Sequence, residues 1–528
     1  MKHVKIHLKG RVVESKNLYK TNPIFDQDKE FSMDRWKVIV ETILEKKSLQ
    51  KIYLIMDPGF EIYPGQLEEL GRGLEKLRNH GKTLYCYGKS YELKSLFIAS
   101  FCHHRFMPED GTIMHLGSSM KRNYYKGLLD RFNVAVDVYR LKEYKGAADS
   151  FRTDKMEETQ REAYGLLLKR IQETLEETVI QNLSLPKDFF DQLKEGKSIR
   201  AAEALEKKII TKIAYQQELL RVWKLDKVKE EKIKLQDEVY GRGKKIGVLS
   251  FDGNIIDGES QKRGIMGPSI GDDTMVKEIE SLREDKKIEG VIFKINSGGG
   301  SATASAEIYH ALLKLKEKKP LVVVQTGVAG SGGYYISIPG SKIYTQKSTI
   351  TGSIGVITML FYLKAFLEDK GIANDGIQDG EYADIMSVWR KRGKKDEALI
   401  MKEIEHIYDG FKDKVAKERN FSKEKVEAVA KGRIWPGIDG IKQGICDEIG
   451  GVDDAILHLK EVLGEEKLQV SFYPKKKENF LLRYFASNTP GVQMESLNSV
   501  LSMNEELRVI NGKVMMSEED ILFSRLRL

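Results

Sequence analysis

The sequence predicts an α/β fold built from two copies of one domain of repeating strand–helix units. Short β-branched runs alternate with stretches whose apolar residues follow helical spacing, which is typical of α/β domains. The strand–helix–strand pattern of residues 51–87 returns at residues 287–324. Thr83 in the first copy corresponds to Pro320 in the second, 237 positions later. A repeat of this length indicates tandem duplication of a whole domain.

A highly charged segment separates the two copies. Residues 224–245 (KLDKVKEEKIKLQDEVYGRGKK) are dense in charge and predict a linker or an exposed helix. We therefore expect a first half at 1–223 and a second half at 246–470. Residues 471–528 depart from the repeat, and this C-terminal extension is left unassigned.

The first copy reads as alternating strands and helices. Apolar residues on one face favour the helices, and short β-rich runs favour the strands. A long amphipathic helix closes the copy before Pro186. In chain order the predicted elements are a strand at Val4–Val13, a helix at Phe31–Glu45, a strand at Ile52–Met56, a helix at Leu67–Leu77, a strand at Thr83–Tyr87 and a helix at Asp154–Leu183.

Two glycine-rich turns in the second copy each join a strand to a helix. One is Asn296–Gly300 (NSGGG), and the other contains Ser331 between Gly330 and Gly332 and precedes a helix beginning near Tyr334. Glycine permits a sharp bend and close approach of a substrate. A helix that starts at the serine points N–H groups towards it, which suits a nucleophile whose oxyanion product needs donors.

Each turn has an alternative interpretation. A serine in a glycine-rich turn is most often a turn residue or a helix cap, and Ser331 alone would favour that reading. The NSGGG turn resembles a phosphate-binding loop in composition, but no Gly-Lys-Ser/Thr follows it and the GxGxxG spacing is absent.

A lysine in the first copy supplies a candidate base. Lys145 lies between aromatic and small residues in YRLKEYKGAADSF (139–151). Burial there would lower its pKa and allow it to accept a proton, with activity rising towards alkaline pH. Taken alone, a lysine of this kind is more often on the surface.

The two copies differ where chemistry would occur. Under the 237-residue offset Ser331 corresponds to Lys94. Glu143-Tyr144-Lys145 matches Glu381-Tyr382-Ala383, so Ala383 stands at the position of the lysine, 238 residues later. The NSGGG turn corresponds to residues 57–60, which lack the glycine run. Each copy therefore lacks the candidate residue that the other copy keeps. This predicts one site shared between the halves, with the lysine from the first and the serine from the second.

These motifs resemble the signal peptide peptidase SppA (protease IV) family, in its long two-half form. The resemblance rests on GSGGYYIS followed by TITGSIG, on NSGGGSATAS and on EYKGAADSF, and it extends to about Gly451. It implies a ClpP/crotonase-like fold and a serine endopeptidase with a Ser/Lys dyad. The implied roles are nucleophile for Ser331, general base for Lys145 and lysine-orienting hydroxyl for Ser353. The oxyanion donors are expected to be Gly332 with Gly299 or Gly300.

The resemblance also implies substrates and partners. Hydrophobic peptides such as remnant signal peptides are the expected substrates, and a homo-oligomer, a tetramer in this family, is the expected assembly. No cofactor is expected. Two positions depart from the family pattern, since Gly298 stands where proline is usual and Gly330 where alanine is usual; both changes would loosen the oxyanion turns.

Composition limits the other classes of function. The net charge of +8 comes from 87 basic and 79 acidic residues, without a dense basic stripe, so nucleic acid is not an expected partner. The three cysteines form no CxxC pair and predict no disulfide framework, and no HExxH motif indicates a metal site.

Localisation stays open at this point. Long SppA relatives usually carry an inner-membrane anchor, whereas no window of this sequence has the apolar length of a spanning helix. We expect a cytoplasmic protein or one peripheral to the membrane, with contact through the basic and aromatic region near residues 473–485. The alternative functions are a crotonase-type acyl-CoA hydratase or thioesterase and a non-catalytic, membrane-associated scaffold.

Overall fold

The computed structural model describes residues 2–16, 18, 30–222, 239–264 and 267–475. Most of the predicted linker at 224–245 and nearly all of the extension at 471–528 lie outside the described residues. Three strands reach into these regions, because β11 and the start of β12 occupy the end of the linker and β23 extends to Tyr473.

The first half is built on a five-stranded parallel sheet with the order β1-β4-β5-β6-β10. Its helices cover the sheet and share one large apolar core with it. The elements of this half are β1 (Lys2–Leu8), β2 (Val12–Val13), β3 (Phe31–Ser32), α1 (Met33–Glu45), β4 (Leu49–Met56), α2 (Pro64–Asn79), β5 (Thr83–Tyr87), α3 (Leu93–Ser100), β6 (His104–Met107), β7 (Thr112–Ile113), α4 (Lys126–Arg131), β8 (Ala135–Arg140), α5 (Asp149–Arg152), α6 (Glu158–Leu183), α7 (Phe189–Lys194), β9 (Ile199–Arg200), α8 (Ala201–Glu206), β10 (Lys212–Ile213) and α9 (Gln216–Val222).

The second half repeats this plan with longer strands. The elements of this half are β11 (Val239–Gly241), β12 (Lys244–Asp252), β13 (Asn254–Ile256), β14 (Gln261–Gly264), β15 (Gly267–Gly271), α10 (Asp272–Glu284), β16 (Ile288–Ser297), α11 (Ala302–Lys318), β17 (Leu321–Gly330), α12 (Gly332–Tyr335), β18 (Lys342–Thr345), β19 (Ile350–Gly352), β20 (Ile357–Tyr362), α13 (Lys364–Asp369), α14 (Lys394–Arg419), α15 (Lys423–Val429), β21 (Ile434–Pro436), α16 (Gly437–Gln443), β22 (Glu448–Ile449), α17 (Val452–Leu463) and β23 (Leu468–Tyr473).

The main sheet of the second half has the order β11-β23-β12-β16-β17-β18-β22. Strand β17 is buried along its whole length, as expected for the centre of a parallel sheet covered on both faces. Its last residues pair with β19, which also pairs with β21. The carboxyl ends of β16, β17 and β19 therefore meet at one edge.

The pairing pattern confirms the tandem duplication. Tyr91 bridges to Ile113 in the first half, and Val328 pairs with Ile350 in the second. Both pairs are parallel, and both residues of the second pair lie 237 positions after those of the first. The α/β fold with two copies of one βα-repeat domain is therefore present in the structure.

Several predicted boundaries differ in detail. The strand expected at Val4–Val13 is split into β1 and β2, because Gly10 adopts a left-handed φ of 71° that breaks the extended backbone. Helix α6 begins at Glu158 rather than Asp154, and α12 is a single short turn. Because α12 is so short, Ser331, which immediately precedes it, lies at the start of a tight turn.

The two halves are joined by pairing and by buried charge. Strand β8 of the first half pairs antiparallel with β20 of the second. Lys294 of the second half forms ion pairs with Glu14 and Asp34 of the first, and all three side chains are buried. Among the residues described, no helix has the length and apolar character needed to cross a membrane.

Candidate active site

The site is built from three neighbouring strand ends in the second half. Ser297 of β16 pairs with Ala329 of β17, and Gly330 of β17 pairs with Gly352 of β19. Ser331 immediately follows Gly330, and Ser353 immediately follows Gly352. The sheet therefore brings the NSGGG turn and both serines to one edge.

Ser331 adopts a backbone conformation that is rare for a residue with a side chain. Its φ is 52° and its ψ is −119°, and its N–H donates to the carbonyl of Gly352 at 2.9 Å. Such a conformation costs about 1–3 kcal/mol and is found mainly where function requires it. Ser331 precedes α12 and its side chain makes no capping bond with that helix. The hydroxyl is thus not committed to holding the turn.

Lys145 enters the site from the first half. It is 2% exposed, and its Nζ donates to Oγ of Ser353 at 2.8 Å and to the Ser353 carbonyl at 3.2 Å. Ser353 is itself held by a bond from its N–H to the carbonyl of Arg433 at 2.8 Å. The lysine therefore lies against the residue that follows β19, next to the strand end that carries Ser331.

A glycine lets the lysine segment approach this closely. A Cβ atom on Gly432 would lie 2.6 Å from Cβ of Lys145, and Gly432 has a left-handed φ of 77°. The N–H of Tyr144 also donates to the carbonyl of Lys431 at 3.2 Å. The first-half loop is thus docked on the 431–432 turn by backbone contact.

The predicted oxyanion glycines surround the serine. A Cβ on Gly299 would lie 2.7 Å from the Gly332 nitrogen and 2.8 Å from Cβ of Ser331. The N–H of Gly299 already donates to Oγ of Ser297 at 3.1 Å. Gly332 begins α12, and the first N–H groups of a helix have no intrahelical acceptor. Gly300 pairs with Ile255 on the far side of the turn.

The two departures from the family pattern lie at this edge. A Cβ on Gly330 would have its nearest contact at 3.6 Å, with Cβ of Ser353, which is ordinary packing distance. Glycine at 330 is therefore not required by space. Gly298 is buried in the turn between Ser297 and Gly299.

A buried polar network supports the turn from behind. The amide of Asn296 donates to Asp252 at 2.9 Å and accepts from the N–H of Val328 at 2.9 Å. Asp252 also accepts from the N–H of Glu14 at 2.8 Å. These contacts give Asp252 a structural role in holding the turn. Burial, together with the Glu14 charge, raises the pKa of Asp252 to about 6.

Sequence reasoning did not identify this network. Asn296 lies in the NSGGG motif, but the motif predicts no role for it, and no local pattern singles out Glu14, Asp34 or Lys294. One signal was available, since a charged residue in the middle of the buried strand at 288–297 has to find a partner.

In the first half, a lysine side chain fills the position that corresponds to Ser331. Nζ of Lys94, at the position of Ser331, donates to the carbonyl of Phe60 in the turn that replaces NSGGG, at 2.6 Å. Burial lowers the pKa of Lys94. Leu116 lies at the position of Ser353, and Ala383, the counterpart of Lys145, is exposed in the second half. The structure therefore brings Ser331, Ser353 and Lys145 together and forms no such set around Lys94.

Comparison with known proteins places this arrangement in a family. The model for Peptidase family S49 matches residues 76–229 and 313–466, and that for Clp protease matches residues 263–350. The chain belongs to peptidase family S49. The two S49 matches fall one in each half, so this S49 peptidase carries the family domain twice.

Curated relatives agree with the assignment. The S49 peptidase is 28% identical to Protease 4 of Salmonella typhi, over 76% of this chain and 68% of that protein. It is 28% identical to the chloroplastic serine protease SPPA of Arabidopsis thaliana, over 78% of this chain and 62% of that protein's length. A putative signal peptide peptidase SppA of Enterococcus faecium is 35% identical over 43% of the chain. The chain is a serine peptidase, and the expected resemblance is confirmed.

Proposed function

We propose that this S49 peptidase cleaves hydrophobic peptides, such as remnant signal peptides, with a dyad of Ser331 and Lys145. The observation that carries the proposal is the bond from the buried Lys145 amine to Ser353, beside the strained turn of Ser331. A strained serine next to a buried lysine is the arrangement expected of a nucleophile and its base.

The proposed reaction begins with neutral Lys145. Its Nζ accepts the proton of the Ser331 hydroxyl while Oγ attacks the scissile carbonyl carbon, which gives a tetrahedral oxyanion. The Gly332 N–H, together with the glycine turn at 298–300, stabilises that oxyanion; one such donor typically contributes about 3 kcal/mol. Ser353 holds the amine in place.

Collapse of the intermediate breaks the peptide C–N bond. The Lys145 ammonium gives its proton to the leaving amine, and the acyl group stays on Ser331 as an ester. Lys145, neutral again, then accepts a proton from a water molecule that attacks the ester. The serine hydroxyl is restored when the lysine returns this proton.

The substrate class rests on the relatives. The enterococcal relative is named as a putative signal peptide peptidase. Signal peptides contain an apolar segment of about 7–15 residues, which defines the hydrophobic peptides proposed here.

The test is cleavage of a fluorogenic hydrophobic peptide by the wild type, Ser331→Ala and Lys145→Ala. We expect both variants to be folded and to lose at least about 1,000-fold in kcat, as removal of a nucleophile or its base does in serine peptidases. The matched controls are Ser341→Ala and Lys169→Ala, which lie outside the site and should cleave normally; the Lys169 side chain is exposed on α6. Full activity in Lys145→Ala would place the base elsewhere, and a wild type that leaves the hydrophobic peptide intact would overturn the proposed substrate class.

A further inference from the structure

The turn that precedes β21 contacts both segments that meet at the lysine amine. The carbonyl of Lys431 accepts from the N–H of Tyr144 at 3.2 Å, and the carbonyl of Arg433 accepts from the N–H of Ser353 at 2.8 Å. Three consecutive residues of backbone therefore set the separation between the loop that carries Lys145 and the serine that its amine contacts.

The side chain of Arg433 extends from this turn towards the first half. Its guanidinium lies between two rings, with Cζ 5.0 Å from the centroid of the Tyr144 ring and 4.5 Å from that of the Trp435 ring. A guanidinium over the face of an aromatic ring is attracted to it electrostatically. Trp435 is buried, and its Nε1 donates to the carbonyl of Val429 at 3.1 Å. Arg433 thus connects a fixed ring of the second half with a ring of the first.

Hydrogen bonds close a triangle around the same contact. Arg433 donates from Nη1 to Oη of Tyr144 at 3.3 Å and from Nη2 to the carboxylate of Glu162 at 2.8 Å. Oη of Tyr144 in turn donates to Glu162 at 3.0 Å. Both partners of the guanidinium belong to the first half. The planar fork of an arginine can bind two such acceptors while stacked on a ring, which a lysine ammonium cannot reproduce.

The residue that Arg433 contacts immediately precedes the lysine. The carbonyl of Tyr144 also accepts from Nε2 of the buried Gln160 at 2.7 Å, so its ring, its N–H and its carbonyl are all held. The amine of Lys145 reaches Oγ of Ser353 at 2.8 Å from the next position along the chain. Any displacement of Tyr144 would therefore move the amine away from the serine.

The corresponding turn of the first half lacks these side chains. Strand β9 pairs with β7 in the first half as β21 pairs with β19 in the second, in the same register at the 237-residue offset. By this register Gly196 stands at the position of Arg433, and Ser198 stands at that of Trp435. The arginine and the tryptophan are thus present in the turn that receives the lysine loop and are replaced by small residues in its counterpart.

We propose that Arg433 is a positioning residue for Lys145 and acts through Tyr144; the inference rests on the proposed dyad. The arginine side chain holds the first-half loop on the second-half turn, so that the lysine amine stays against Ser353 and beside Ser331. Arg433 controls where the base lies and takes no part in the transfer of the proton.

The rate at which a fluorophosphonate labels Ser331 tests the inference. In this reaction the Oγ–P bond forms, fluoride leaves and the base takes the hydroxyl proton, so the second-order rate constant reports on the dyad without a peptide substrate. Arg433→Met keeps an unbranched side chain but removes the charge and the donors. It should slow labelling about 10- to 100-fold, as expected when a catalytic group is displaced by about 1 Å.

A double-mutant cycle separates this role from others. Lys145→Ala should itself label slowly, and Arg433→Met should cause no further loss in that background, because it acts only through the lysine. Additive losses would overturn the inference. Wild-type labelling by Arg433→Met beside a slow Lys145→Ala would overturn it too, while leaving the dyad intact. Wild-type labelling by Lys145→Ala would instead overturn the dyad.

Two further variants control for stability and charge. Arg105, in β6 of the first half, donates to the carbonyls of Cys102, Lys208 and Ile209 at 2.6 to 3.0 Å. Arg105→Met should therefore lower the melting temperature, as Arg433→Met should, but label at the wild-type rate. Arg433→Lys keeps the charge without the planar fork and should stay at least about fivefold slower than the wild type. Full recovery by the lysine, or equally slow labelling of Arg105→Met, would overturn the inference.

Discussion

At the scale of single residues, strain and burial are concentrated around the lysine. Ser331 and Ser353 both have a φ of 52°, and Lys431, whose carbonyl holds the lysine loop, has a φ of 59°. Left-handed conformations are uncommon for residues other than glycine. Their clustering here indicates that the surrounding sheet holds the site in a geometry that isolated turns would not adopt.

Ser353 is expected to act by positioning the lysine. Ser353→Ala should lower kcat about 10- to 100-fold with little change in KM, because a mispositioned base slows the chemical step without removing substrate contacts. Ser353→Thr, which keeps a hydroxyl, should recover part of the loss. Steady-state kinetics on the peptide substrate measure both values, and an equal rise in KM for the alanine variant would argue for a role in substrate binding.

Gly432 is expected to be required for space as well as for its backbone conformation. Gly432→Ala should lower activity at least about 10-fold, because the new Cβ would displace the Lys145 loop. Gly81→Ala is the matched control, since Gly81 has a similar φ of 75° and nothing within 4 Å. Both variants should lose about 1 kcal/mol of stability from the strained φ. Equal activity in the two would show that the contact with Lys145 is unimportant.

Asp34 makes stability depend on pH. Burial raises its pKa to about 7, against the opposing effect of Lys294. Between pH 4 and 7 the folded state therefore binds a proton that the unfolded state has lost, so stability falls as pH rises, by about 1.4 kcal/mol per unit. Asp34→Asn cannot titrate and keeps an acceptor for Lys294. Denaturant unfolding at pH 5 and pH 7 should show a fall smaller by about 2 kcal/mol in the variant; parallel curves would contradict this.

The residues of the candidate dyad could be predicted because they lie in local motifs and because the copies differ there. The buried charges could not be predicted in the same way. Glu14 and Asp34 reach Lys294 across 280 and 260 positions, and nothing near them in the sequence names the partner. Contacts of this kind depend on how the two halves pack.

At the scale of elements, one side chain connects three strand ends. Asn296, in β16, binds Asp252 at the end of β12 and the backbone of Val328 in β17. The turn that follows β16 and the serine that follows β17 are thus held at a fixed separation. Local sequence patterns predict the strands that end at Asn296 and before Ser331, together with the glycine-rich turns that follow them. Such patterns do not specify which strands lie side by side in the sheet.

Loss of this connection should affect both stability and rate. Asn296→Ala leaves the Val328 N–H without an acceptor, which costs about 1–3 kcal/mol for a buried group, and it removes one of the donors to the Asp252 carboxylate. Because the turn and Ser331 would no longer be aligned, kcat should also fall. Thermal unfolding and peptide kinetics on the same preparation measure the two effects, and a destabilised variant with normal kcat would confine Asn296 to the fold.

The pairing of β8 with β20 shows a second limit of local prediction. Neither strand was predicted from its own sequence pattern, because each is half-buried and finds its partner in the other half. The antiparallel ladder they form fixes the loop that carries Lys145. The position of Lys145, the proposed base, therefore depends on a contact between the halves.

At the scale of the whole molecule, polar contacts and buried ion pairs hold the two halves together. Ion pairs and hydrogen bonds cross between them, including Arg72 to Asp454 at 3.2 Å and the amide of Gln346 to Glu69 at 2.8 Å. The buried charges of Glu14, Asp34 and Lys294 would be left uncompensated if the halves separated, a penalty of several kcal/mol.

A chain cut between the halves should therefore stay assembled and active. With a site-specific protease sequence inserted after Glu230, complete cleavage should leave one species on size-exclusion chromatography and peptide activity within about twofold of the uncut protein, since the dyad does not depend on that peptide bond. Raising the salt concentration should not separate the fragments, because buried pairs are screened weakly. Two separate peaks after cleavage would show that the covalent connection holds the halves together.

Because the proposed dyad is divided between the halves, it also sets a time at which the enzyme can first act during its own synthesis. Ser331 follows Lys145 by 186 positions. At typical elongation rates of about 5–20 residues per second, at least roughly 10–40 seconds separate the two. During that interval the emerging polypeptide has a base and no nucleophile, so it cannot cleave itself or its unfolded neighbours on the ribosome. In the proposed mechanism, proteolysis begins only when the second half has folded onto the first.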